Sequence, residues 1–150
     1  MLSHRLVRIV EGRSEAIVEP VVREIRANPE FKHMQKSPVA ELREWGCGVL
    51  NDLGNWLIAG KDAALASRYE GLGRLRFKES VPLHEVVHAL HLLKSGTIDY
   101  VRDQGFSQTP VEIFAEEELE YLLGHFFDWL EEHLVHGYET ALRKAAHLAS

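Results

Sequence analysis

Apolar residues recur at intervals of three and four along most of this chain, which is the spacing of one face of an α-helix. Sustained alternation of apolar and polar residues is missing, and so are the Asn-Gly and Asp-Gly pairs of tight hairpins. The pattern predicts an all-α domain, a bundle of five or six helices joined by short connections. The stripe is clearest in the second helical segment, at Leu42, Trp45, Val49, Leu53, Trp56 and Leu57.

Proline and glycine divide this pattern into segments. The first segment covers about Ser3 to Ala27, and Pro20 should kink or divide it, because proline donates no backbone N–H and crowds the preceding turn. The second begins at "SPVAEL", where Ser37 is suited to cap the helix and Pro38 to occupy its first turn. The third segment runs from about Asp62 to Phe77, and the fourth from about Pro82 to Arg102. Gly105, just beyond Arg102, is predicted to end the fourth.

The last helical segment has a clear start and no internal proline. Thr109 is predicted to cap it, Pro110 to take the first turn and Glu112 to complete a capping box. Because no proline follows as far as about His147, the segment could form one long helix. Gly137 lies on the same side as the apolar residues of this segment, so we expect a neighbouring helix to approach closely there.

Composition indicates one ordinary globular domain over residues 1–150, with 45% hydrophobic and 27% charged residues and no linker or repeat. The formal charge is −6, and acids flank the densest basic stretch, "GRLRFKES", so nucleic acid is not an expected partner. No stretch approaches the roughly 20 apolar residues of a membrane span. The one cysteine, Cys47, fits a reducing compartment, and we expect a cytoplasmic location.

The fourth segment contains "HEVVH", residues 84–88, which matches the His-Glu-x-x-His pattern of zinc peptidases. Such an enzyme needs both histidines on one helical face, the glutamate beside a metal-bound water, a third protein ligand and a substrate cleft. Here Pro82 places His84 and Glu85 in the first helical turn, and no third ligand is singled out. We therefore predict no catalytic residues and no enzymatic activity, with a zinc peptidase as a weaker alternative.

Helical geometry separates the histidines of this segment from its apolar face. His84, His88 and His91 form a stripe of their own, which we expect to face solvent or an interface. The open alternative is a helical protein that binds metal through this stripe, or haem through a buried histidine such as His88 or His133. A di-iron bundle would need a second Glu-x-x-His, and only Glu85–His88 provides one.

Two longer phrases resemble a known family. Gly73-Arg74 is followed by a few polar residues and then by "VPLHEVVHALHLL", and "FFDWLEEHLVHGYETAL" follows downstream. Together they resemble the N-terminal domain of RsbRD-type stressosome co-antagonists, which is also found ahead of histidine kinases. The resemblance spans essentially the whole chain and rests mostly on packing positions.

The resemblance implies a helical, globin-related bacterial sensor domain, usually without haem. Such a domain dimerises, responds to a small ligand or a protein, and passes the signal to an output domain or partner. It carries no catalytic residues and no cofactor is expected. The sequence ends at Ser150 without a STAS or kinase domain, so the chain is either a stand-alone sensor or a fragment of something longer.

Overall fold

The computed structural model describes residues 2–59, 63–104 and 109–149, and within these ranges it contains helices and connections but no strand. The predicted all-α bundle is therefore confirmed. A short 3₁₀ turn, Met34–Lys36, lies between the second and third helices. The helices are α1 (Leu2–Gly12), α2 (Ser14–Ala27), α3 (Val39–Ala59), α4 (Ala63–Lys78), α5 (Leu83–Asp103) and α6 (Pro110–Ala149).

The first predicted segment divides at a different place from the one that we expected. The break lies at Arg13, whose backbone is non-helical, whereas Pro20 lies inside the continuous helix α2. Gly12 directly precedes the break, and glycine is a weak helix former because it loses the most backbone freedom on folding. Pro20 is exposed, so the carbonyl that its missing N–H would have satisfied can be solvated.

The other predicted boundaries agree with the structure to within a few residues. Pro38 accepts the first hydrogen bonds of α3, and α5 begins directly after Pro82. The Thr109 hydroxyl accepts a hydrogen bond from the Glu112 backbone at 3.2 Å, which confirms the predicted cap of α6. The predicted end at Gly105 lies outside the described residues.

All six helices contribute buried apolar residues to one core. The inward face of α5 agrees with the prediction: Val86, Leu90, Leu93 and Val101 are buried. Salt bridges show that α5 and α6 run antiparallel, because His91 pairs with Glu131 and Arg102 with Glu120. Burial of these faces is the main stabilising contribution in a bundle of this kind.

Helices α4 and α6 cross with their backbones in contact, and two glycines make this possible. A Cβ atom added at Gly137 would lie 2.7 Å from the Glu70 Cα and closer still to the Glu70 carbonyl. A Cβ atom at Gly73 would lie 2.8 Å from the Tyr138 backbone nitrogen and would overlap the Leu134 carbonyl. The close approach predicted at Gly137 is confirmed.

Helix α6 is continuous over 40 residues, as its lack of proline predicted. Its middle part packs in the core, whereas all the side chains from Leu142 to Ala149 are exposed. Among the described residues no helix combines the length and the apolar character that a membrane span would need.

Candidate functional site

The glutamate of the His-Glu-x-x-His match points into the protein. Glu85 is only 1% exposed, and its carboxylate accepts hydrogen bonds from the backbone N–H groups of His33 and Met34, both at 3.0 Å. The His33 ring nitrogen Nδ1 lies 2.7 Å from the second carboxylate oxygen. The carboxylate therefore holds the connection between α2 and α3 against the first turn of α5.

These contacts also set the acidity of Glu85. Burial alone raises the pKa of the carboxyl group, because it disfavours the charged form. The hydrogen bonds from Met34 and from the ring and backbone of His33 stabilise the charged form and outweigh burial, so the pKa lies below its ordinary value. Glu85 is thus an ionised acceptor that already holds three donors. A general base of a zinc peptidase would instead have to face a metal-bound water.

The histidines of α5 lie on the outer side of the helix, away from the Glu85 carboxylate. His84 is exposed. His88 stacks on the Phe31 ring with centroids 4.6 Å apart, and its Nδ1 lies 3.6 Å from Glu30. His91 pairs with Glu131 at 3.0 Å. Two of the three imidazoles therefore join α5 to different neighbours, Glu30 before the 3₁₀ turn and Glu131 on α6.

This arrangement bears on the metal alternative. Across residues 2–59, 63–104 and 109–149, no three histidine, cysteine or acidic side chains are grouped as a metal ion would require. Metal binding by His84, His88 and His91 stays an untested alternative, and the three rings lie in separate environments.

A second histidine cluster joins α4 to α6. His133 Nδ1 lies 3.0 Å from one Glu70 oxygen, and His136 Nε2 lies 3.8 Å from the other. The His133 ring also contacts the Trp129 ring with centroids 4.7 Å apart. His133 and His88, the two candidates for haem ligation, are both half-buried and beside carboxylates. Haem binding also stays an untested alternative.

A buried acid links α3 to α4. Asp52 accepts a hydrogen bond from the Tyr69 hydroxyl at 2.7 Å and forms a salt bridge with Arg68. Burial raises the pKa of Tyr69, and its bond to Asp52 raises it further, so the phenol stays protonated and donates. This cluster lies at one end of an open groove of about 470 Å³ between the two helices.

The first half of α6 leaves an apolar stripe uncovered. Val111, Phe114 and Tyr121 are 64%, 68% and 67% exposed, although side chains of this size are usually buried. The His125 ring contacts the Tyr121 ring with centroids 4.4 Å apart and extends the stripe by one turn. We call Val111, Phe114, Tyr121 and His125 the α6 stripe.

Sequence reasoning placed the histidine stripe outside but missed the roles of Glu85 and Asp52. On a helical projection Glu85 lies as far from the centre of the apolar face of α5 as the exposed His91 does, so periodicity gives no sign of its burial. Its hydrogen-bond donors lie about fifty residues away along the chain, in a connection without regular periodicity. Asp52 lies beside the apolar stripe of α3, and its hydrogen-bond and salt-bridge partners, Tyr69 and Arg68, lie on the next helix.

The fold and these contacts define the chain as an all-α helical bundle domain in which the described polar clusters join one element to the next. The chain belongs to the family of RsbT co-antagonist protein RsbRD N-terminal domains, whose model matches residues 15–149. This is a family of signalling domains, and the resemblance seen in the sequence is confirmed. Nothing matches among curated proteins or among solved structures, so the globin relationship stays a prediction.

Proposed function

We propose that this chain is a non-enzymatic, globin-related sensor domain that works in the bacterial cytoplasm. It responds to a small ligand or a protein and acts on an output domain or partner of the stressosome type. The family match over residues 15–149 carries the proposal. The geometry of Glu85 supports the non-enzymatic part, because the acid that a zinc peptidase would use points into the protein and already accepts three hydrogen bonds.

The proposal predicts that the level of a stress response depends on this domain being folded. In the natural host, a chromosomal Gly137→Leu substitution should unfold the domain and shift a general stress reporter several-fold, in basal level or in response to stress. Gly124→Leu is the matched control, because nothing lies within 4 Å of a Cβ atom at Gly124. If the reporter follows the same course in both strains and in the parent while the Gly137→Leu protein is unfolded, the proposed function is wrong.

Self-association is the second part of the proposal: the domain forms a homodimer through α6. The α6 stripe supports this, because its residues, together with Glu118 between Phe114 and Tyr121, follow the three- and four-residue steps of a helix–helix seam. Glu118 occupies the central position of the seam. In a symmetric pair centred on it, the two copies of Glu118 would face each other, so we expect a weak dimer.

Light scattering over a range of concentrations tests the dimer. The parent chain should have twice the monomer mass at high micromolar concentration, and a Phe114→Ser, Tyr121→Ser double variant should be monomeric because the seam loses its apolar contacts. Leu148→Ser removes a side chain of similar exposure outside the stripe and should leave the mass unchanged. A parent chain that stays monomeric would remove the homodimer from the proposal.

A further inference from the structure

An open groove lies on the surface between α3 and α4. It is open along one side, has a volume of about 470 Å³, and lies between consecutive helices that Asp52, Tyr69 and Arg68 join at one end. Its apolar lining comes from both helices, and Leu75 is exposed although it is a large aliphatic residue. The apolar lining residues are Trp45, Val49, Leu72 and Leu75.

Two glycines leave the backbone of the groove accessible. Gly48 on α3 and Gly71 on α4 both line it. A Cβ atom added at Gly48 would meet nothing within 4 Å, and one at Gly71 would meet only the Arg74 side chain at 3.6 Å. The same chain uses Gly73 and Gly137 to bring two helices into backbone contact. Gly48 and Gly71 therefore leave room for an additional helix at close range.

The charges of the groove favour a cationic occupant. Its two arginines are already paired, Arg68 with Asp52 and Arg76 with Glu79. Glu41 and Glu44 also line the groove, are exposed, and have no salt-bridge partner among the residues that the structure describes. Two negative charges therefore remain on the α3 rim, beside the indole of Trp45, whereas the α4 side is basic and carries the Arg74 guanidinium next to Gly71.

We propose that the α3–α4 groove is the docking site for a basic amphipathic helix of a partner protein. Small and aliphatic residues of that helix would pack on Gly48, Gly71 and Leu72, and its lysine or arginine side chains would pair with Glu41 and Glu44. Helix-in-groove recognition of this kind uses apolar anchors one turn apart. Complementary rim charges add specificity and speed association. The inference rests on the proposed action on a partner and names the surface that performs it.

The experiment titrates the full chain with a capped helical peptide of about five turns. Alanine and leucine form one face of the peptide and lysine the other, and a second peptide carries glutamate in place of every lysine. Calorimetry should give a one-to-one complex with the lysine peptide only, and amide chemical shifts should move along α3 and α4. Gly48→Leu fills the groove and should weaken binding at least about tenfold, because the anchors lose their space.

Matched controls separate a specific site from the general attraction of an acidic protein for a basic peptide. Glu41→Gln with Glu44→Gln should weaken binding about tenfold, whereas Glu117→Gln with Glu132→Gln removes the same charge from α6 and should leave affinity unchanged. Gly124→Leu, at another open glycine, is the control for Gly48→Leu. Circular dichroism should show that all four variants retain the helical fold.

Several outcomes would overturn the inference. Binding that falls equally for both pairs of glutamate variants would be non-specific attraction. Shift changes confined to the α6 stripe would place the docking surface elsewhere. Self-association of the parent chain that Gly48→Leu abolishes would make a second copy the occupant, through the exposed basic residues Arg143 and Lys144 of α6. None of these results affects the stress-reporter experiment, so failure of the groove leaves the proposed function standing.

Discussion

Gly137→Ala should lower the free energy of unfolding by about 3 kcal/mol, although alanine is the better helix former. The added methyl group would lie 2.7 Å from the Glu70 Cα and would overlap the Glu70 carbonyl. Both contacts are with backbone atoms of α4, and a helix backbone cannot relieve a clash by changing rotamer as a side chain can. Helices α4 and α6 must separate instead, and this disturbs the Glu70–His133 and Phe77–Tyr138 contacts on the two sides of the crossing. Urea unfolding followed by circular dichroism measures the loss.

Gly124→Ala is the control within the same helix. Nothing lies within 4 Å of a Cβ atom at Gly124, so the gain in helix propensity of up to about 1 kcal/mol should appear without a steric cost. The two substitutions are chemically identical, and the difference between them isolates the crossing. If the Gly137→Ala chain proves as stable as the Gly124→Ala chain, α4 and α6 do not meet at their backbones.

The crossing shows what can be predicted from the sequence. Gly137 falls on the apolar side of a long uninterrupted helix, and a glycine on such a face implies a close neighbour. The sequence does not say which helix approaches. Gly73 is the partner, but it lies in a segment with less regular periodicity and was recognised only as part of a family phrase. Periodicity identifies a face, whereas the pairing of faces depends on the whole fold.

Helix boundaries were predictable where a residue acts on its own neighbours. Thr109 caps the turn that follows it, and Pro82 ends one segment and begins the next, because both effects are local. Pro20 misled the prediction. The cost of a proline inside a helix can be met by solvating one carbonyl on an exposed face, and the helix broke at Gly12 and Arg13 instead.

The site residues show the limit of local reasoning more clearly. The outward position of His84, His88 and His91 followed from helical geometry alone. Glu85 is different, because its burial is favourable only when two backbone N–H groups and an imidazole from the α2–α3 connection are present. That connection contributes buried Phe31 and Met34 to the core. The carboxylate and the connection stabilise each other, and neither position can be deduced without the other.

Glu85→Gln is therefore expected to destabilise the fold by about 1 to 2 kcal/mol. The amide oxygen can still accept from the backbone N–H groups of His33 and Met34, and the NH₂ group can donate to the His33 ring once the ring carries its proton on Nε2. What the substitution removes is the negative charge, which strengthens all three hydrogen bonds. Thermal and urea unfolding measure the loss, and amide hydrogen exchange should show faster opening at His33 and Met34 than in the parent chain.

The pH dependence gives a second test with a definite sign. The pKa of Glu85 is lower in the folded chain than the unfolded value of about 4.3, so the unfolded chain binds the proton more readily. The stabilisation by this carboxylate is then present above the unfolded value and is lost as the pH falls through the folded value. The stability difference between the parent and Glu85→Gln should be constant near neutral pH and should shrink in acid.

His84→Ala is the control, because it breaks the same His-Glu-x-x-His pattern at an exposed residue and should change stability by less than about 0.5 kcal/mol. A zinc site and a structural contact of Glu85 predict opposite results for these two variants. A zinc site would make Glu85→Gln a folded chain that lacks only its activity, and His84→Ala a chain that lacks its metal. If the Glu85 carboxylate instead holds the α2–α3 connection, Glu85→Gln is less stable than the parent chain and His84→Ala is as stable as the parent chain. A stable Glu85→Gln chain with parental exchange rates at His33 and Met34 would show that the carboxylate does not hold the α2–α3 connection.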